Sequence, residues 1–188
     1  SVSVFGQENH AGTTPMNMRN DALVKTAEII TYINEKAQEA DGLVATVGVL
    51  DVSPNAFSVI PGRVDFTLQV RDLYVDKMEE FVEDVCKKFD LRYEIQHQSE
   101  PALCDPTIME HISDSCGELM MRYIEMPSRA SHDAQNFTFC PMGMIFVPSI
   151  GGISHSPKED TTDEMCYNGV EVLIETIRRI DESASMAE

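Results

Sequence analysis

The run Arg63-Val64-Asp65-Phe66-Thr67-Leu68-Gln69-Val70-Arg71 alternates apolar and polar residues without a break. Side chains along a strand point to opposite faces in turn. Val64, Phe66, Leu68 and Val70 therefore share one face, and Arg63, Asp65, Thr67, Gln69 and Arg71 share the other. One face is buried and the other meets water or a polar ligand. A half-buried strand needs a second layer over its apolar side, and the flanking sequence offers two helices to supply it.

Upstream, the spacing predicts a helix over 19–39, with Leu23, Ala27, Ile30, Ile33 and Ala37 on one face. Asp41-Gly42 ends it, since glycine accepts the left-handed cap conformation. Downstream, Val75, Met78, Phe81, Val82, Val85 and Phe89 mark a helix over 75–89. Further strands are expected over 1–7, 43–50 and 91–97. Ser53-Pro54-Asn55 and Ile60-Pro61-Gly62 are breaks. The order βαββαβ over residues 1–100 predicts a ferredoxin-like sandwich, two helices on one face of a four-stranded antiparallel sheet.

Residues 101–188 read as a second, α/β piece. Asp105-Pro106 is an N-cap followed by proline at the first helical position, opening a helix to about residue 123. A short strand is expected at 123–126. Met144-Ile145-Phe146-Val147 has the unbroken apolar character of a fully buried strand. Thr161 and Glu164 form a capping box before a last helix striped by Cys166, Val170, Leu173, Ile177 and Ile180, with a frayed polar tail over 181–188. Two strands and two helices make a poor domain alone. The chain also opens on Ser1 inside a strand pattern, so it is expected to be a piece of something longer. The fold class is thus α+β, a ferredoxin-like unit followed by an incomplete α/β piece.

A formal charge of −18 over 188 residues argues against nucleic acid or an anionic membrane as partner. No apolar run approaches the roughly 18–20 residues that span a bilayer, and residues 1–5 lack the features of a signal peptide. Five cysteines, odd in number and without a CxxC pair, read as reduced thiols of a cytoplasmic protein.

Three loops carry histidines at element ends, where functional groups tend to sit. They are His10, His132 with Asp133, and His155 with Glu159. Each is either a local hydrogen-bonding group or a ligand. His155 is the best metal candidate, because it leaves a strand on a glycine-rich turn where α/β proteins bind ligands. A catalytic metal takes about three protein ligands, and no HxH or HExxH pair is present. Either His155 is structural or its co-ligands lie elsewhere. Arg63 and Arg71 offer guanidinium forks that match a carboxylate, or else belong to a solvated sheet face. No GxSxG elbow and no phosphate loop occurs.

Four blocks together resemble a known family. Gly6-x-x-x-His10-Ala-Gly-Thr-Thr-Pro-Met16-x-x-Arg19-x-Asp21 resembles the lid motif of the two-metal amidohydrolases that include N-carbamoyl-L-amino-acid hydrolase, allantoate amidohydrolase and β-ureidopropionase. Val59-Ile-Pro-Gly62-x-Val64-x-Phe-Thr-x-x-x-Arg71 resembles the next block. Ser131-His132-Asp133-Ala134-Gln135 and Phe146-Val-Pro-Ser149-x-x-Gly-Ile-Ser-His155-x-x-x-Glu159 resemble the last two.

The resemblance implies a lid and dimerisation domain over 1–100 and the end of a catalytic α/β domain over 101–188. It implies hydrolysis of the carbamoyl (ureido) C–N bond of N-carbamoyl amino acids or allantoate by hydroxide bound to two divalent ions, zinc or manganese. It assigns His155 as a metal ligand, His10 as the lid group that polarises the scissile carbonyl in a partner's site, and Arg71 as the grip on the substrate carboxylate. His132 and Asp133 line the cleft. Ser58 stands where the family usually has a substrate-binding Asn, with Asn55 three residues earlier. Gln69 and the Arg129-Ala-Ser131 run also depart from the family pattern. The resemblance further implies a homodimer through the lid. Alone, this piece is expected to be inactive and to hold no metal tightly. The rivals are a non-catalytic module that dimerises through a sheet edge and a related aminoacylase or peptidase.

Overall fold

The computed structural model describes residues 1–137 and 139–186, apart from the side chain of Met186. Among the described residues the chain is mixed α/β with small sheets and four α-helices, and it divides into two compact units, Ser1–Pro101 and Ala102–Glu188.

In the first unit, strand β5 runs over Arg63–Arg71, as its alternation predicts, and lies at the centre of a three-stranded antiparallel sheet. Strand β1 (Val2–Phe5) pairs on one side and strand β3 (Val44–Ser53) on the other, with a register irregularity between Val47 and Val49. Helix α1 (Ala22–Glu39) and helix α2 (Val75–Phe89) complete the layer. Val64 and Phe66 are fully buried, and Phe66 joins Val2, Val4, Ile29, Ile33, Leu43, Phe81 and Val85 in one core. The alternation thus chose the buried face correctly. A two-stranded ribbon, β2 (Asn9–His10) with β4 (Val59–Ile60), stands apart from this sheet.

Helix α1 starts later than the periodicity suggests. Asp21 accepts from the amides of Leu23 and Val24 and so caps it, while Met16–Met18 forms a separate 3-10 turn.

The expected four-stranded sheet is not formed. Residues 91–97 contribute one bridge, Tyr93 opposite Val2. Beside it, Ser1 and Glu94 exchange two backbone hydrogen bonds, and at the end of α2 Asp90 takes the left-handed conformation while the Leu91 amide donates to Cys86 O at 2.9 Å. That amide is committed to closing the helix and is lost to a ladder.

The second unit departs further. Helix α3 covers Pro106–Glu118, shorter than expected, with Asp105 capping Thr107 and Ile108. Helix α4 covers Asp163–Met186. Its cap is Thr162, whose hydroxyl accepts from the Met165 amide, in place of the expected Thr161–Glu164 box. The helix continues through most of the tail read as frayed, and Ala187 and Glu188 lie outside the described residues. Neither the strand at 123–126 nor the one at 144–147 forms. A strand is stable only when its backbone groups find partners, and no described segment of this unit pairs with either. Phe146 is accordingly half exposed.

The stripe read on α4 also faces outward, with Cys166, Val170, Leu173 and Ile177 exposed. The face turned to α3 is Val172 and Thr176, and Thr176 Oγ1 donates to Ser115 Oγ at 3.1 Å. Small, partly polar side chains make the helix–helix seam, while the broad apolar stripe is left to something else.

Two predictions follow from the first unit. Phe66→Ala should cost about 3–5 kcal/mol, read as a lower urea midpoint in that unit's unfolding transition. Asp84 and Asp65 are held below the usual carboxylate range, Asp84 by its hydrogen bond to Lys36 and then Tyr32, and Asp65 by Arg63 and then Ser3. A carboxylate lowered by folding stabilises above its unfolded pKa, and that contribution is lost as pH falls through the folded value. Asp84→Asn/Asp65→Asn should therefore narrow the gap between urea midpoints at pH 7 and at about pH 3, below the ordinary carboxylate pKa. Both pairs are partly exposed, so the effect should be modest and should shrink with salt.

Candidate functional site

His10 belongs to the β2–β4 ribbon, opposite Val59. The Ala11 amide donates to Ser58 O at 2.8 Å, so the His10 loop and the segment before β5 are stitched together. The same region is held from behind. Gly6 N donates to Gly62 O, Gln7 N to Asn20 O and Ala22 N to Pro61 O. A side chain at Gly6 would stand 2.3 Å from Asn20 O and 2.7 Å from Ala22 N, so only glycine lets these backbones meet.

Within the loop, Thr14 N and Thr14 Oγ1 both donate to His10 O, at 3.2 and 2.7 Å. Gly12 N and Thr13 N donate to His10 Nδ1, at 3.0 and 3.2 Å. Arg19 closes the turn, donating from Nε to Thr14 O and from Nη2 to Ala11 O.

Ser58 and Asn55 lie on the same segment as the ribbon strand β4. Asn55 is in the left-handed region at φ 53°, which Asn tolerates better than most residues. The structure therefore brings together His10 and Ser58 and leaves Asn55 on the adjoining turn. Arg71 is elsewhere. It ends β5 opposite Val44, whereas the His10 ribbon adjoins the Arg63 end. Eight residues of extended strand separate the two ends by about 26 Å. Arg71 Nη2 donates to Gln69 Oε1 at 3.1 Å. Arg63, the other guanidinium weighed for anion binding, is engaged by Asp65 at 2.7 Å and is a structural ion pair.

In the second unit, His132 precedes a short 3-10 turn over Asp133–Asn136. His132 Nε2 is 2.8 Å from Ser128 Oγ, and its ring lies 5.4 Å from that of Phe146. Ser128 escaped notice in the sequence, because its approach depends on a turn through Arg129 at positive φ.

His155 sits on a loop tied at its neck. Ile150 N donates to Asp160 O, and Thr161 Oγ1 donates to Pro148 O. Inside it, Glu159 accepts from Ser154 Oγ at 3.1 Å and from the His155 amide at 2.9 Å. That carboxylate holds His155 at φ 53°, a conformation that costs a non-glycine residue about 1–2 kcal/mol. No described residue hydrogen-bonds its ring, which is exposed. Among the described residues, no three His, Cys, Asp or Glu side chains gather where they could hold a metal ion. The described residues thus do not by themselves make up a metal site.

Residues 6–179 match the model of peptidase family M20/M25/M40, and the chain belongs to that family. Within it, the chain is 37% identical to an N-carbamoyl-L-amino acid amidohydrolase of Geobacillus stearothermophilus over 93% of its own length and 45% of the relative's. It is 34% identical to the allantoate amidohydrolase of Escherichia coli, over 92% of this chain and 45% of that one. Among solved structures, an amidase of the hydantoinase/carbamoylase family from Burkholderia phymatum superposes with a TM-score of 0.84 at 32% identity, covering 97% of this chain and 47% of that one. The chain spans less than half the length of these relatives.

If Glu159 holds the His155 turn, Glu159→Ala should speed hydrogen exchange at the His155 amide. A bond to a charged acceptor is worth about 1.5–3 kcal/mol, or roughly tenfold or more in rate. Exchange in α3 and α4 should stay unchanged, as read by amide exchange NMR.

Proposed function

We propose that the chain is the lid and the C-terminal part of the catalytic domain of a metal-dependent amidohydrolase. Its substrates are small acids bearing a carbamoyl or ureido group, as N-carbamoyl amino acids and allantoate do. The relatives' names support the bond class. The carboxylate partner is assigned to Arg71, which carries the planar fork that such a group pairs with. His10 polarises the carbonyl of the bond to be cleaved, with Ser58 and Asn55 as neighbouring polar contacts. His132 and Asp133 line the cleft. His155 is one metal ligand, and the chain supplies no complete site for zinc or manganese. The 188-residue chain alone is accordingly expected to show no turnover.

The observation that carries this reading is the separation of His10 and Arg71 by the length of β5. One small substrate cannot touch both within a single copy. A site that uses both needs two copies, with His10 reaching across from one and Arg71 belonging to the other. β3 is an edge strand of ten residues, an unpaired row of backbone groups suited to joining a second sheet. The exposed stripe on α4 supports the companion assignment of residues 101–188 to a larger α/β domain, since such a face is stable only when covered. No helix among the described residues is long and apolar enough to cross a membrane. All five cysteines are free thiols, and burial pushes those of Cys86 and Cys116 up. Both facts accord with our placing the enzyme in the cytoplasm.

The test is complementation in the full-length chain carrying this segment. His10→Ala and Arg71→Ala homodimers should each lose at least about 100-fold in ureido-acid hydrolysis. Mixed dimers of the two should recover part of it, because one of their two sites is intact. Mixed dimers as inactive as the parents would refute the shared site, and wild-type dimers without ureidohydrolase activity would refute the substrate class.

A further inference from the structure

Which nitrogen of His10 carries its proton decides what the ring can do. Gly12 N–H and Thr13 N–H both point at Nδ1, at 3.0 and 3.2 Å. A nitrogen that accepts from two amides has its lone pair occupied. Placing a proton there would set three N–H groups against one another and break both bonds. The proton of the neutral ring therefore resides on Nε2, where no described residue makes a hydrogen bond.

We propose that Arg19 and Gly12 are positioning residues that lock the neutral ring of His10, where it occurs, as the Nε2–H tautomer, a hydrogen-bond donor of fixed direction. Arg19 acts through the backbone. Its two bonds, to Ala11 O and Thr14 O, span the turn and hold the Gly12 and Thr13 amides under the ring. The planar fork offers both donors in one fixed geometry, whereas a lysine ammonium is a point charge on a flexible stem. Gly12 acts by its lack of a side chain. A Cβ there would stand 3.2 Å from His10 Cε1 and 3.5 Å from Nδ1, so alanine would crowd the ring by a few tenths of an ångström on the side of its two donors.

The consequence for reactivity is specific. A donor whose other nitrogen is already satisfied gives a hydrogen bond to an oxygen gathering negative charge and keeps its proton. It serves as a preorganised polarising group, and general-base work falls to another residue. The use of that donor on a scissile carbonyl rests on the function proposed above, whereas the tautomer does not.

The experiment reads the ring directly. The full chain, labelled with nitrogen-15 in histidine, is observed by long-range proton–nitrogen correlation at about pH 8, where an ordinary imidazole is neutral. His10→Gln assigns the His10 signals, and His132 serves as the internal reference. The expected result is one His10 tautomer, with Nδ1 in the unprotonated range and Nε2 in the protonated range. Arg19→Lys and Gly12→Ala should each move both nitrogens toward the averaged values of a freely exchanging ring and leave His132 in place. An averaged or Nδ1-protonated ring in the wild type would overturn the proposal, as would His10 shifts unmoved by both substitutions. If a variant fails to fold, the dispersed backbone amide signals of the first unit, which holds Gly12 and Arg19, will be lost, and the wild-type spectrum still decides. No substrate is present, so failure of the hydrolase reading leaves this result standing, and the converse also holds.

Discussion

The first unit depends on three backbone segments meeting where β5 begins. Residues 6–11, 20–22 and 58–62 exchange hydrogen bonds main chain to main chain: Gly6 to Gly62, Gln7 to Asn20, Ala11 to Ser58 and Ala22 to Pro61. Such bonds are individually modest, and breaking one where water cannot replace it is expensive. The knot sets the entry of α1, starts the buried strand and aims the His10 loop. A site built there inherits the rigidity of the core beneath it, because Val64 and Phe66 follow directly and are fully buried.

That rigidity suits a group that must be presented outward. His10 is exposed, yet its carbonyl and its Nδ1 are both satisfied within the turn. The entropy of ordering the ring is met during folding, not when a ligand arrives. His155 shows a second solution to the same problem. There Glu159 grips the backbone of a strained turn, and a local carboxylate stands in for a remote core.

The two units differ in how far their sequences foretold them. Strand 63–71 and helix 75–89 come out with the predicted bounds, because each has an unbroken period and a complete core to face. The fourth strand over 91–97 alternates well, yet it contributes a single bridge, and its first amide, Leu91, is spent on closing α2. Residues 144–147 have strand composition and form no strand, since a strand also needs a paired backbone. The stripe on α4 is real as a pattern, but α3 packs against the neighbouring face, where Thr176 meets Ser115. Periodicity says that an apolar face exists, and only a partner decides which face is covered first.

The sequence by itself determined the alternation that buries Phe66 and the two helix periods that cover it. It also determined the four blocks that mark this chain as a member of the M20/M25/M40 family. Those are properties of residue type and spacing, and one strand or helix is enough to express them. Tertiary structure alone decided that His10 and Ser58 adjoin while Arg71 lies at the far end of β5, and that Arg63 is spent on Asp65. It alone showed two amides and Arg19 orienting the His10 ring. Each of these depends on register and on where separate backbones cross. Spacing along the chain carries no record of such crossings, because it fixes neighbours on one strand or helix and not which separate segments meet.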